Sequence, residues 1–333
     1  MRCPLLRGKF TAKRLWMQSE ERVVEHHALL ILGAGPAGLT AAVYAERSGL
    51  DALLLEKGTV GGQITTTNDV ENWPGIKQIS GFDLAASLQE HAEHLGAEIR
   101  VTEIESLDFS GPRKIVRTDK GELTADAVII ATGARHRHLG VPGEAELTAR
   151  GVSYCGVCDG PFFRNEDIMV VGGGDTAVEE AEYLTRFANK VYLVHRRDKL
   201  RAADMLARRA LANPKIEPVW DSVVTRINGK TGVESVGVKN VKTGAESMIT
   251  ATGVFIFVGN LPNSEIFKGS GLAMDANGWI LADHASLRTN IDGVFAAGDV
   301  RETGLRQMIT AAADGARAAM SASAYLSELE ESK

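Results

Sequence analysis

The 333-residue chain is 44% apolar and 24% charged, the proportions of a globular protein with room for two ordinary domains. Its net charge of −6 gives no global pull toward nucleic acid or anionic membrane, and no apolar run approaches the ~18 residues of a bilayer span. Three cysteines, Cys3, Cys155 and Cys158, are too few for a disulfide scaffold and suit a reducing compartment, so a cytoplasmic location is expected.

In chain order, the first 16 residues, MRCPLLRGKFTAKRLW, hold five basic side chains (Arg2, Arg7, Lys9, Lys13, Arg14) and no acid. They lack the apolar core of a secretory signal. Residues 1–26 are expected to be an extension, read as a disordered arm or a start assigned upstream of Met17, with a presequence as the alternative. Residues 29–56, LLILGAGPAGLTAAVYAERSGLDALLLE, then run from a short apolar strand through a glycine-rich turn to a helical stretch and a second strand. Residues 168–197, IMVVGGGDTAVEEAEYLTRFANKVYLVHRR, repeat that unit. The turns are Gly33-x-Gly35-x-x-Gly38 and Gly172-x-Gly174-x-x-Ala177. The first glycine permits the tight turn and the second lets backbone approach a pyrophosphate. The third position packs helix on strand. With the strand–turn–helix context right both times, both units are expected to bind dinucleotides at their helix N-termini.

The far ends of the two units differ. The first closes on Glu56, whose carboxylate accepts from ribose hydroxyls and repels a 2′-phosphate, as suits FAD or NAD. The second closes on His195, Arg196 and Arg197, whose guanidinium forks match a 2′-phosphate, as suits NADPH. Between the units, LQEHAEHLGAEI reads as an exposed amphipathic helix carrying His91 and His94, and His136 and His138 alternate as on an exposed segment. AVII near 127 and GVFIFVG near 253 read as buried strands. TNIDGVFAAGDV at 289–300 ends in Gly298-Asp299, which can bring a carboxylate to a polyol chain.

SYCGVCDG at 153–160 places two cysteines at CxxC spacing. A zinc site needs four ligands and no second CxxC is present, so no metal is expected. A bridge across two residues closes almost no loop and stabilises little. The redox reading explains more. A CxxC pair forms a reducible disulfide, and Asp159 stands where it can give or take a proton.

These stretches together resemble the low-molecular-weight thioredoxin reductases, from about residue 27 to 330. The matching runs are GAGPAGLTAA, TTTNDVENWPG at 65–75, ATGAR at 131, CGVCDGPFFRN at 155, GGGDTAVEEA at 172, HRRDKLRA at 195, and FAAGDV with RQMITAAADG at 295–315. Two departures stand out. Gly156 replaces the usual alanine after the first cysteine, and Ala313-Asp314-Gly315 replaces a turn of AGxG type. The resemblance implies an α/β fold with two Rossmann-like domains. The FAD domain would comprise residues 27–136 and 264–333, and an NADPH domain with the CxxC would be inserted at 137–263. It implies FAD on Gly33, Gly35, Pro36, Ala37, Gly38, Glu56, Gly62, Gln63, Asn72, Gly133, Gly298, Asp299, Arg306 and Gln307. It implies NADPH on Gly172, Gly174, Asp175, Thr176, Ala177, His195, Arg196, Arg197 and Arg201. Cys158 would face the flavin, Cys155 would attack the partner's disulfide, and Asp159 would be the acid–base group. Electrons would pass from NADPH through FAD to the Cys155–Cys158 pair and on to thioredoxin, with the inserted domain rotating between half-reactions. A homodimer is also implied. The competing readings are a flavin-dependent disulfide reductase with another protein partner and an NADPH diaphorase or oxidase.

Overall fold

A computed structural model of the chain describes residues 24–67 and 70–332. Most of the expected extension, Cys3 included, lies outside the described residues. Glu25 and His26, assigned to that extension from sequence, instead begin the first strand.

That strand, β1 (Glu25–Leu32), runs parallel between β2 (Ala52–Glu56) and β6 (Gly121–Ile130). Leu29 to Leu32 are fully buried, because a central parallel strand is covered on both faces and needs no polar alternation. On one face lies α1 (Pro36–Arg47), which links β1 to β2. The sheet continues through β3 (Glu98–Val101) beside β2, reached by α2 (Gly81–His94). On the other side an antiparallel meander, β4 (Ile104–Asp108) and β5 (Lys114–Thr118), leads into β6.

The chain then leaves this sheet through the three-residue strand β7 (Ala134–His136). A second, wholly parallel sheet follows in the order β11-β10-β9-β15-β8. Its strands are β8 (Val152–Ser153), β9 (Asp167–Gly172), β10 (Lys190–Val194), β11 (Ile216–Val219) and β15 (Gly253–Phe257). The helices α3 (Gly156–Asp159), α4 (Asp175–Leu184) and α5 (Asp204–Ala212) accompany it. An antiparallel excursion of β12 (Ser222–Asn228), β13 (Ser235–Asn240) and β14 (Glu246–Thr250) precedes β15.

The chain returns through β16 (Asn260–Pro262), which pairs antiparallel with β7 and places Asn260 opposite His136 and Pro262 opposite Ala134. It rejoins the first sheet at β17 (Val294–Ala296), parallel to β6. The long α6 (Met308–Glu331) closes the fold by lying along α1. The approach is close. A Cβ on Gly315 would sit 2.0 Å from the Ala37 carbonyl oxygen, so only glycine fits there. Ala313-Asp314-Gly315, which depart from the AGxG turn of the family this chain resembles, lie within a continuous helix whose alanine-rich stretch packs one buried stripe onto α1.

Candidate functional site

The first glycine turn is built by close contacts. Gly33 has φ +105°, and a Cβ there would meet the Ala131 carbonyl oxygen at 2.5 Å. A Cβ on Gly38 would overlap the Gly33 carbonyl oxygen, which holds the N-terminus of α1 tight against the loop. Gly35 is different, since its nearest such neighbour is the Gly61 carbonyl oxygen at 4.0 Å. Its outer side is open, and no side chain caps α1, which begins with Pro36. Ala37 is buried behind it. An open glycine before an uncapped helix N-terminus fits an anionic pyrophosphate. Glu56 stands across the turn. Its carboxylate accepts from the Ala34 amide at 2.7 Å and the Gly58 amide at 2.8 Å, which fixes its direction and leaves each oxygen a second lone pair.

The rest of the first set gathers around the N-terminus of α6. Gly298 (φ +73°) turns the chain after β17, and its amide donates to Asp314 Oδ2 at 3.1 Å. Asp314 is buried and also takes Arg301 at 2.7 Å and Arg317. Sequence reading missed this network, though Asp314 sits at helical spacing between buried Ala311 and Ala318, where an acid needs a partner. Asp299 projects beside it, its carboxyl pushed up to about 6 mainly by burial, with Asp314 adding and Arg306 and Arg301 opposing. Arg306 lies flat over Trp279 at 3.8 Å, and its Nε is buried without a hydrogen-bond partner. Asn72 donates to Gln307 Oε1 at 3.1 Å, and Gln307 Nε2 approaches Cys155 Sγ at 3.8 Å. Gly62 (φ +62°) with Gln63, and Gly133 (φ +67°), occupy turns after β2 and β6. A buried carboxyl with a polyol-sized set of polar groups beyond an open dinucleotide turn fits FAD.

The second turn repeats the design. A Cβ on Gly172 would meet both Ala177 Cβ and the Phe257 carbonyl oxygen at 2.5 Å, whereas Gly174 is open to 3.8 Å, where Arg201 begins. No side chain caps α4, which opens on Asp175 and Thr176. Asp175 accepts from the Ala203 amide at 2.7 Å, and the Arg201 amide donates to the Gly173 carbonyl, so the loop carrying Arg201 is fastened to the turn. Arg196, Arg197 and Arg201 are exposed, and none of the ion pairs among the described residues uses them. His195, next to Arg196 in the chain, is buried. Its ring lies under the turn, where a Cβ on Gly173 would lie 2.2 Å from Nδ1. Burial lowers its pKa first, and the charges of Arg201, Arg197 and Arg196 lower it further, so three cations converge around a neutral floor. Three guanidiniums in no ion pair among the described residues, two just past β10 and one on the loop before α5, fit the 2′-phosphate of NADPH.

Cys155 and Cys158 form a disulfide across α3, with Cys155 as the helix N-cap and its Sγ accepting from the Cys158 amide at 3.1 Å. The pair is held from behind by Ser153, whose hydroxyl accepts from the Cys155 amide at 3.1 Å. Tyr154 donates to Glu144 at 2.7 Å and stacks on His136 at 4.9 Å. His136, expected on an exposed segment, is thus covered by a tyrosine next to the redox pair. His91 and His94 are exposed on α2. The Gln307 contact joins the disulfide to the N-cap of α6, beside the first sheet.

The chain is similar to known proteins over nearly its whole length. The pyridine nucleotide-disulphide oxidoreductase family model matches residues 27–315. The thioredoxin reductase of Bacillus subtilis is 47% identical over 316 residues, 94% of this chain and 98% of that protein. The thioredoxin reductase of Listeria monocytogenes is 48% identical over 318 residues, 95% and 98% respectively. Among solved structures, thioredoxin reductase from Streptococcus pyogenes superposes with a TM-score of 0.87 at 49% identity, covering 91% of this chain and 99% of that one. Lactococcus lactis thioredoxin reductase in its FR conformation has the same coverage and 47% identity, yet a TM-score of only 0.63.

Proposed function

Since the chain belongs to the pyridine nucleotide-disulphide oxidoreductase family, among its thioredoxin reductases, we propose that it is an NADPH-dependent, FAD-containing enzyme that reduces the disulfide of thioredoxin through Cys155 and Cys158. The observation that carries this reading is the contact of Gln307 with Cys155, which seats the redox disulfide against a residue that Asn72 in turn holds. Bound FAD supplies a carrier that takes two electrons from NADPH and releases them to a disulfide.

The chain's own residues do the rest. Gly35 and the α1 N-terminus hold one pyrophosphate, and Gly174 and the α4 N-terminus hold the other. Glu56 selects an unphosphorylated ribose, whereas Arg196, Arg197 and Arg201 select the phosphorylated one. Asp299 accepts from the polyol chain. Once the Cys155–Cys158 bond is opened, Cys155 attacks the partner's disulfide, and Cys158 then displaces the reduced partner and restores the bond. Two thiol protons leave with the two electrons, and Asp159, beside Cys158, is the group that moves them.

We read residues 27–136 and 264–333 as the FAD domain and 137–263 as the inserted NADPH domain. The two sheets and the single β7–β16 ribbon between them support this division. The domain holding both the NADPH turn and the disulfide must present them in alternation, and a rotation does so. The drop in TM-score from 0.87 to 0.63 between two relatives of nearly equal identity supports two such orientations. No helix among the described residues is long and apolar enough to cross a membrane, and the reading extends to a cytoplasmic homodimer, with sedimentation as the check.

The deciding assay is NADPH consumption with thioredoxin and insulin, run beside Cys158→Ser. Turnover that requires thioredoxin and falls at least a hundredfold in the variant is expected. Undiminished turnover in Cys158→Ser would identify a diaphorase instead.

A further inference from the structure

We propose that Glu180 is a positioning residue for the redox pair, acting through the turn that carries Cys155. This deepens the function just proposed and rests on the Cys155–Cys158 pair being the one that transfers electrons. The starting point is Gly156, the residue at which this chain departs from the alanine of the motif it resembles. A Cβ on Gly156 would lie 2.0 Å from Glu180 Oε2 and 3.2 Å from Glu180 Cδ. The carboxyl group of α4 therefore fills the space that a side chain at position 156 would occupy. Gly156 is the first residue of α3, and its neighbour Cys155 is the N-cap.

Glu180 is unusually placed for an acid. Its Oε2 is buried and has no hydrogen-bond partner. Burial pushes its carboxyl up from the usual range, the charge of Glu179 on the same helix adds to this, and the Gly156 amide opposes it. From α3 the titratable groups on that side are Cys155, Cys158 and Asp159. From α5 the nearest cation, Arg209, pairs with Glu182. Among the described residues no ion pair engages Glu180. It is a carboxyl without a compensating cation, directly under a redox turn.

The consequence follows from charge. Opening the disulfide takes two electrons and leaves two sulfurs, which take up protons according to their acidity. When ionised, the Glu180 carboxylate, packed against Gly156 one residue from Cys155, raises the energy of a thiolate and holds the sulfurs as thiols. A dithiol whose thiolate is stabilised resists giving up its electrons, and one whose thiolate is disfavoured donates them more readily. Glu180 thus tilts the pair toward electron donation, the direction required of a pair that reduces a partner. Gly156 is the other half of the device, since a methyl group there displaces the mobile end of the Glu180 side chain.

The test needs neither thioredoxin nor NADPH. The protein is reduced with dithiothreitol, freed of reductant and alkylated with iodoacetamide across a pH series. Wild type, Glu180→Gln, Gly156→Ala and the double variant are compared, each checked for a wild-type flavin absorbance. Expected is a shift of the alkylation midpoint to lower pH by about one unit in each single variant, with no further shift in the double. In glutathione buffers the Glu180→Gln pair should be reduced about tenfold more readily, ~30 mV. An unchanged midpoint in Glu180→Gln, or a double variant in which the two shifts add, overturns the proposal. A failed thioredoxin assay with these shifts intact would refute the partner and leave Glu180's role standing.

Discussion

Asp299 meets two opposed demands in one carboxyl group. Burial raises its pKa to about 6, whereas in an unfolded chain it ionises near the ordinary carboxylate value of roughly 4. The folded state is thus penalised at neutral pH by about 3 kcal/mol. That penalty fades as pH falls from about 6 to about 4. If Asp299 accepts from FAD hydroxyls as proposed, its ionised carboxylate is the stronger acceptor, and FAD affinity runs the other way. We expect FAD release, followed by its fluorescence, to increase as pH falls through 6, by up to about tenfold per unit. Asp299→Asn should hold FAD weakly at pH 7 and lose this pH dependence. A wild-type profile flat between pH 7 and 5 would refute the assignment. Residues of this kind were unevenly legible from sequence. Gly33, Gly35 and Gly38 were readable because their spacing states a backbone requirement. Glu180 was not, because Glu179-Glu180 on a helical pattern reads as a solvated face. Its burial comes from α3, more than twenty positions earlier in the chain.

Among the elements, the two βαβ units were legible in full, since apolar runs and glycine turns state them locally. The meander of β4 and β5 and the excursion of β12 to β14 were not, because short half-exposed strands carry little periodicity. The α1–α6 contact was also invisible, because a glycine in an alanine-rich helix has no sequence mark of what it touches. The contact makes a sharp prediction. In Gly315→Ala the new methyl would face backbone, at 2.0 Å from the Ala37 oxygen and 3.0 Å from the Ala41 nitrogen. No side-chain rotation relieves that, so the two helices must part, at a cost of about 2–3 kcal/mol. The unfolding midpoint should drop by several degrees. FAD content should drop with it if, as proposed, the α1 N-terminus holds the pyrophosphate. A variant with the melting temperature and flavin ratio of wild type would show that α1 and α6 are free to slide apart.

At the scale of the whole molecule, the ribbon of β7 and β16 has a meaning for modularity. Because His136 faces Asn260 across one antiparallel pair, the two points where the chain passes between lobes lie about 5 Å apart. On the proposed division each lobe has its cut ends side by side, and the lobes are expected to be separable. Deleting residues 137–259 and joining the ends with a dipeptide should leave a chain that folds, turns yellow with FAD and ignores NADPH. The excised piece, closed on itself or placed in another host loop, should bind NADPH and carry a disulfide with nothing to reduce it. Absorbance near 450 nm for the first and isothermal titration for the second would read these outcomes. A colourless aggregate from the first would mean that the lobes, though joined by one narrow ribbon, depend on each other to fold. If both pieces behave so, a nucleotide-reading domain could be exchanged for one of different specificity while the rest of the chain keeps its flavin.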